Sequence, residues 1–193
     1  VVQLMTHGPS EPSVWVRRFA PLIPHGQVLD LACGSGRHAR LLASLGLPVL
    51  AVDRDAATLA SWSAEGVDTL LLDLEQPEAD LHPDWPLQPA RFSGVVVTNY
   101  LHRPLLPALL SSVASDGVLI YETFARGNGQ FGKPSNPDFL LAPGELLQHV
   151  LVTADWHVIA FEDGYTQSPK PAMVQRICAR RMGAEAMPSA VAL

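Results

Sequence analysis

The feature that most constrains this chain is the segment 28–55, VLDLACGSGRHARLLASLGLPVLAVDRD. It combines a short apolar strand, a turn containing Gly34 and Gly36, a helix, and a second strand that ends in Asp53. Glycines at such a turn let the backbone bend tightly and bring N–H groups toward a ligand at the helix N-terminus. The segment therefore predicts one unit of a parallel sheet with a binding site at its turn.

Strand-like and helix-like segments continue to alternate along the chain, which predicts strands joined by helices. The last two strand-like segments have no helix between them, so we expect an antiparallel hairpin at one edge. The predicted fold class is α/β, a doubly wound, mostly parallel, seven-stranded Rossmann-like sheet with an antiparallel C-terminal hairpin. The predicted strands cover residues 27–32, 48–53, 67–73, 92–99, 117–124, 156–164 and 172–181.

A length of 193 residues predicts one domain over 1–193. Within it we expect a short leading helix at 11–22 and a frayed tail at 184–193. Residues 125–144, dense in Gly, Pro and Asn, form a long connection without periodicity, which is typical of a functional loop. We predict that this loop is a lid, with Arg126, Asn128 and Lys133 as candidate contacts to an anionic group.

The amino-acid composition restricts the kinds of molecule that this chain is expected to bind. The formal net charge is −6 and Lys or Arg residues cluster no further than pairs, which argues against a nucleic-acid substrate. No apolar run is long enough to span a bilayer, so we expect no membrane partner. Two cysteines without a pairing pattern indicate the reducing cytoplasm, and no spacing of His and Cys supports a metal site. The oligomeric state stays open.

The glycine turn has two interpretations. Residues 34–39, followed by Asp53, satisfy the fingerprint of dinucleotide-binding proteins, so an NAD(P)-binding oxidoreductase is one alternative. However, Asp30 comes just before the turn, where its carboxylate would repel a diphosphate and favour a cation. Asp73 also ends the third strand, where it can accept a hydrogen bond from an adenine amino group. A chain of 193 residues leaves little room for the separate substrate domain of a dehydrogenase.

Three motifs carry a family resemblance. VLDLACGSGRHARLL resembles the first motif of class I S-adenosylmethionine-dependent methyltransferases, and PVLAVDRD and LLLDLE resemble the next two. The segment YETFARGNGQFGKPSNPDFLLAPGEL is similar to the region after the fifth strand in small bacterial enzymes related to tellurite-resistance methyltransferases. The resemblance implies S-adenosylmethionine as the cofactor and a methyl transfer to a small molecule. A non-catalytic module that binds this cofactor is a further alternative.

The resemblance also implies contacts for individual residues. The methionine part of the cofactor is expected to meet Asp30, Ala32, Gly34 and Gly36, with Arg37 pairing its carboxylate. Asp53 is expected to take the ribose hydroxyls. The adenine is expected to lie against Arg54, Asp73 and Leu74, and Asn99 to face the sulfonium.

Catalytic candidates follow from the ends of the fourth and fifth strands. Ligands in such sheets bind outside the carboxyl ends of the strands, which directs attention to 31–37, 53–55, 73–75, 98–103 and 121–128. Tyr100, His102 and Glu122 are the candidate bases in these ranges, with Glu122 and Tyr121 facing opposite sides of the sheet. The segment TNYLHRP differs from the [DNS]-P-P-[YFW] pattern of amino-group methylases, which argues against their substrates. A soft or anionic acceptor, such as a chalcogen oxyanion or a thiol, would need no strong base.

Overall fold

The computed structural model describes residues 11–76 and 79–183. The tail predicted at 184–193 lies outside these residues. In the described part, a single sheet of seven strands has the order β3-β2-β1-β4-β5-β7-β6. The strands are β1 Val28–Leu31, β2 Val49–Asp53, β3 Val67–Leu71, β4 Phe92–Thr98, β5 Val113–Phe124, β6 Trp156–Thr166 and β7 Ala172–Arg181.

The predicted fold class is confirmed. β1 pairs in parallel with β2 and β4, β2 with β3, and β4 with β5. β7 pairs antiparallel with both β5 and β6, so the C-terminal hairpin closes one edge of the sheet. The strand order reverses between β1 and β4, and the carboxyl ends of these two strands form the switch point of the sheet.

Helices cover both faces of the sheet and create two apolar cores. One face carries α1 Val14–Phe19, α2 Arg37–Ser44 and α3 Ala56–Ala60. The other carries α4 Leu106–Ser112 and α5 Glu145–Leu151. Alternate residues of the buried strands supply the two cores, so Val28 packs on the first face while Leu29 and Leu31 pack on the second.

Side chains and glycines terminate the helices near the glycine turn. The Asp55 side chain accepts hydrogen bonds from the N–H groups of Ala57 and Thr58 and so caps α3. Gly46 has the left-handed conformation that ends α2, with φ of 80°. α3 ends at Ala60, and Trp62 beyond it turns back to the glycine turn.

No helix within residues 11–76 and 79–183 is both long enough and apolar enough to cross a membrane.

Candidate functional site

A cavity of about 380 Å³ lies at the switch point, at the carboxyl ends of the parallel strands. Several residues predicted from the sequence line it, namely Ala32, Asp53, Arg54, Asp73, Leu74, Asn99 and Tyr100. Sequence reasoning missed other lining residues, including Glu75, Leu101, Thr123, Phe124, Pro134 and Phe139. The ranges at the strand ends contained Glu75, Leu101, Thr123 and Phe124, but no residue type marked them as special.

Two non-glycine residues at the switch point have a left-handed backbone. Ala32 follows β1 with φ of 54°, and Asn99 follows β4 with φ of 55°. This conformation is uncommon for residues with a Cβ atom and persists where the surrounding structure enforces it. At Asn99 the backbone N–H also donates to the Glu122 carbonyl at 3.0 Å. Both residues line the cavity, so the chain turns away from the sheet there and leaves room for a ligand.

Asp53 joins the end of β2 to the glycine turn. One carboxylate oxygen accepts a hydrogen bond from the Gly34 N–H at 2.8 Å, and the other accepts from the Asp55 N–H at 2.9 Å. Each carboxylate oxygen can accept a second hydrogen bond. Asp53 therefore shapes the turn and still has acceptor capacity for hydroxyl groups in the cavity.

Trp62 covers the turn from outside the cavity. Its indole N–H donates to the Gly34 carbonyl at 3.0 Å, and a Cβ atom at Gly36 would lie 2.4 Å from its ring. Gly36 also has φ of 69°, so side chains are excluded there on two grounds. The Arg40 guanidinium lies 5.3 Å from the centroid of the indole ring. The sequence carried no signal for this contact.

Asp30 is buried beneath the turn, with 1% of its surface exposed. Its Oδ2 atom has no hydrogen-bond partner, while the Ala39 N–H of α2 bonds to the carboxylate. Burial raises the pKa of Asp30 to about 7, although Arg37 lowers it through its positive charge. A buried carboxylate with an unpaired oxygen is a favourable partner for a cation and an unfavourable neighbour for a diphosphate.

Asp30 gives a testable dependence of stability on pH. Its folded-state pKa is raised above the unfolded value, so the stability it contributes is present in acid and is lost as the pH rises toward 7. We expect Asp30→Asn to increase the free energy of unfolding at pH 8 by roughly 2–4 kcal/mol, and to have a smaller effect at pH 4. Urea unfolding at both pH values measures this difference. Asp68→Asn, an exposed change on β3, is the control. Equal effects of Asp30→Asn at pH 4 and pH 8 would contradict the assignment.

Other predicted residues surround the turn without lining the cavity. Gly34 and Gly36 form the turn itself, and the Arg37 side chain reaches the Glu11 carbonyl at 3.5 Å.

His38, an isolated histidine in the sequence, is buried against the end of β4. Its Nε2 accepts from the Ser13 N–H at 3.1 Å, so in the neutral ring Nδ1 carries the proton and donates to Thr98 at 3.3 Å. Burial lowers the pKa of His38 to about 3, and the ring therefore stays neutral as it links α1, α2 and β4.

Acidic and basic groups line the side of the cavity near β2 and β3. Asp73 accepts hydrogen bonds from the Gln76 side chain and the Glu75 N–H, which hold its pKa below the usual value. Arg54 lies 3.6 Å from the Glu75 carboxylate. The Tyr100 hydroxyl also donates to Glu75, and burial together with this negative charge raises the pKa of Tyr100 above its usual range. Tyr100 is thus held as a hydrogen-bond donor to Glu75 at the cavity.

The two other predicted bases lie away from the cavity lining. His102 follows the lining residue Leu101 and lies close enough to Asp73 to lower the pKa of that carboxyl. Glu122 is paired with Arg176 of β7 at 3.0 Å, and Arg176 also contacts Glu162 at 3.1 Å. This ion-pair cluster commits the Glu122 carboxylate to β7 and β6.

Residues 125–144 are held against the sheet at several points. Asn128, predicted to meet an anionic group, is buried and has both ends of its amide occupied, by the Pro134 carbonyl and the Met173 N–H. Arg126 lines a separate cavity on the other side of this segment, and Lys133 is exposed. The structure therefore places none of these three side chains on the cavity at the switch point.

Arg103 anchors the second half of the same segment. Its guanidinium donates to both oxygens of Glu145 at 2.7 and 3.1 Å, and to the carbonyls of Asp138 and Leu140 at 2.6 and 2.9 Å. Glu145 in turn accepts from the Ala142 N–H at 2.7 Å. This cluster holds Phe139 against the cavity. The sequence reasoning did not single out Arg103, because its partners lie 35 to 42 residues away.

Metal binding has no support in the described ranges 11–76 and 79–183, where no group of three His, Cys, Asp or Glu residues is placed to hold an ion.

Cys33 is buried beside Asp30 and Asp53. Burial raises the pKa of its thiol well above the usual range, so it is a poor candidate for a nucleophile.

Residues 28–115, which run from β1 to the start of β5, match the protein family described as "Methyltransferase domain". The match covers the glycine turn, Asp30, Asp53, Asp73 and Asn99. The resemblance predicted from the three sequence motifs is thereby confirmed, and the motifs come together around one cavity.

Individual relatives agree with this family. The methyltransferase domain is 35% identical over 98 residues to a protein-L-isoaspartate O-methyltransferase from Chlorobaculum tepidum. The match covers 51% of this chain, and the chain spans only 45% of the length of that curated relative.

Two solved structures share the fold. TehB from Haemophilus influenzae has a TM-score of 0.64 at 19% identity, covering 86% of this chain and 61% of TehB. A 1,6-didemethyltoxoflavin-N1-methyltransferase from Burkholderia thailandensis, solved with bound 1,6-didemethyltoxoflavin and S-adenosylhomocysteine, has a TM-score of 0.58 at 18% identity. That match covers 88% of this chain and 79% of the other.

Proposed function

We propose that this protein transfers a methyl group from S-adenosylmethionine to a small molecule. The observation that carries the proposal is the buried Asp30, whose Oδ2 atom has no partner beneath the glycine turn. S-adenosylmethionine is cationic at its ammonium and sulfonium groups, whereas a dinucleotide would bring a diphosphate to the same turn. A cation supplies the missing partner of Asp30, and a diphosphate would increase the repulsion.

The remaining lining residues fit the other parts of this cofactor. Asp53 has acceptor capacity for the two ribose hydroxyls, and Asp73 can accept from an adenine amino group. Leu74 and the Arg54 side chain would lie along the adenine. Ala32 and Asn99, both in left-handed conformations, would border the methionine part and the sulfonium.

In the proposed reaction, bound S-adenosylmethionine supplies a methyl carbon that accepts an electron pair from the acceptor while the carbon–sulfur bond breaks toward sulfur. The protein aligns this carbon with the nucleophile and excludes water, and orientation alone can supply on the order of 7–11 kcal/mol. Of the three predicted bases, Tyr100 donates a hydrogen bond to Glu75, Glu122 is paired with Arg176, and His102 is not among the lining residues. We therefore propose an acceptor with a soft nucleophile, such as a thiol, which releases its proton to solvent and not to a protein base.

We also propose that residues 125–144 act as a lid over the acceptor. Pro134 and Phe139 in this segment line the cavity, while Asn128 and the partners of Arg103 anchor the segment to the sheet. Anchors at both ends allow the segment between them to move without detaching. A closed lid would exclude water from the transfer.

Equilibrium titration with S-adenosylhomocysteine and NAD tests the function directly. We expect S-adenosylhomocysteine to bind with a Kd near or below about 100 μM, and NAD to bind at least about 100-fold more weakly, because the turn disfavours a diphosphate. Asp30→Asn should weaken binding of S-adenosylhomocysteine, since its ammonium loses a charged partner. Tighter binding of NAD than of S-adenosylhomocysteine would overturn the proposal.

A further inference from the structure

The cavity has one side toward β5, away from β2 and β3 in the strand order. Thr123 and Phe124 from the end of β5 and Pro134 and Phe139 from the 125–144 segment form its wall. These side chains are apolar or aromatic, apart from the hydroxyl of Thr123. Sites for small molecules typically combine such walls with a few polar groups that fix orientation.

The charged residues that line the cavity are mostly acidic. The lining contains three carboxylates, from Asp53, Asp73 and Glu75, against one guanidinium, that of Arg54. Arg54 lies 3.6 Å from Glu75, so its charge is already partly compensated. An anion in the cavity would meet a net negative lining and would lose its hydration without gaining a counter-ion.

Basic residues close to the cavity are committed to other partners or lie on other surfaces. Arg103 directs its guanidinium to Glu145 and to two backbone carbonyls, at 2.6 to 3.1 Å. Arg176 is held between Glu122 and Glu162. Arg126 lines the separate cavity on the far side of the segment. The three side chains predicted to meet an anionic acceptor, those of Arg126, Asn128 and Lys133, are also not among the residues that line the cavity.

We propose that the acceptor is an uncharged aromatic molecule, held by Phe124, Phe139 and Pro134 with a polar substituent at Thr123. Aromatic rings pack favourably against such side chains in stacked or edge-to-face arrangements. This inference rests on the proposed function, and it selects an uncharged acceptor over an oxyanion. It also gives the 125–144 segment a defined role, because Phe139 supplies part of the wall.

Binding of two naphthalene derivatives of similar size tests the discrimination against an anion. The protein is first saturated with S-adenosylhomocysteine and then titrated with 2-naphthol or 2-naphthoate at pH 7. We expect 2-naphthol to bind at least about ten-fold more tightly than 2-naphthoate, because the carboxylate finds no counter-ion. Equal or tighter binding of 2-naphthoate, or no measurable binding of 2-naphthol, would overturn the inference.

Two phenylalanine variants locate the binding surface. Phe139→Ala should weaken binding of 2-naphthol by about five-fold or more, because it removes an aromatic contact. Phe131→Ala is the matched control, since Phe131 is similarly exposed on the same segment but packs on Tyr165, with ring centroids 5.2 Å apart, and does not line the cavity. Both variants should keep the affinity for S-adenosylhomocysteine. Equal losses of 2-naphthol affinity in the two variants would contradict the proposed wall.

The proposed function and the proposed acceptor class are tested by different outcomes. If S-adenosylhomocysteine binds but 2-naphthol does not, the acceptor class is wrong and the proposed function stands. If S-adenosylhomocysteine does not bind, the proposed function fails. A titration of 2-naphthol without cofactor then still shows whether the wall prefers an uncharged aromatic molecule.

Discussion

Replacing Asp53 by alanine is expected to reduce the affinity for S-adenosylhomocysteine by at least about 100-fold, while the protein stays folded. The carboxylate would accept hydrogen bonds from two ribose hydroxyls, and hydrogen bonds to a charged group contribute about 1.5–3 kcal/mol each. The same change also leaves the N–H groups of Gly34 and Asp55 without their acceptor, so the turn becomes less ordered. Calorimetric titration measures the affinity, and circular dichroism confirms the fold.

Asp55→Ala is the matched control for this prediction. Asp55 is an acid two residues further on that caps α3, and it does not line the cavity. Loss of this N-cap should lower the stability slightly and leave the affinity nearly unchanged. Gly34→Val should resemble Asp53→Ala in binding, because a branched side chain is strained at φ of 51°. Unchanged affinity in Asp53→Ala would remove the ribose assignment.

Replacing Arg103 by leucine is expected to lower the free energy of unfolding by about 2–4 kcal/mol, because it leaves a mostly buried carboxylate without its cation. Glu145 has a side chain only 13% exposed and would keep the Ala142 N–H and the nearby His149 as partners. The carbonyls of Asp138 and Leu140 would also lose their donor. Since this cluster holds Phe139 at the cavity, affinity for 2-naphthol should fall while affinity for S-adenosylhomocysteine changes less than about two-fold.

Arg17→Leu is a strict control for this change. Arg17 also pairs with a carboxylate at 2.7 Å, that of Glu11, but the two side chains are 55% and 86% exposed. An exposed pair of this kind contributes about 0–1 kcal/mol, so the variant should unfold almost like the parent protein. Similar losses in Arg17→Leu and Arg103→Leu would show that the cluster around Arg103 has no special role.

Local patterns were sufficient for most of the architecture. Apolar runs bounded by glycine, proline and acidic residues predicted the strands, and the strand–helix alternation predicted the parallel sheet. The absence of a helix between the last two strands predicted their antiparallel hairpin, which β6 and β7 form. The pattern did not predict that β7 would lie between β5 and β6, because strand order depends on contacts between distant segments.

For the candidate site, too, some residues were predictable from local pattern and others depend on contacts between distant segments. Asp53 and Asp73 were found from the sequence because each ends an apolar strand, and the carboxyl ends of parallel strands meet at one edge. Glu122 satisfied the same rule but lies in an ion pair with Arg176, because the side of a strand that a residue faces depends on how its neighbours pack. Position along a strand is a local property, and orientation toward a cavity is not.

The sequence by itself determined the strand–turn–helix unit, the acidic strand ends and the resemblance to methyltransferases, since each depends on residues close together in the chain. Only the tertiary structure decided which charges remain available at the cavity. Trp62 on the glycine turn, Arg103 on Glu145, and Phe139 on the cavity wall all depend on contacts between segments far apart in sequence. Such pairings are selected by packing and by the desolvation of charge during folding, which a linear pattern does not encode.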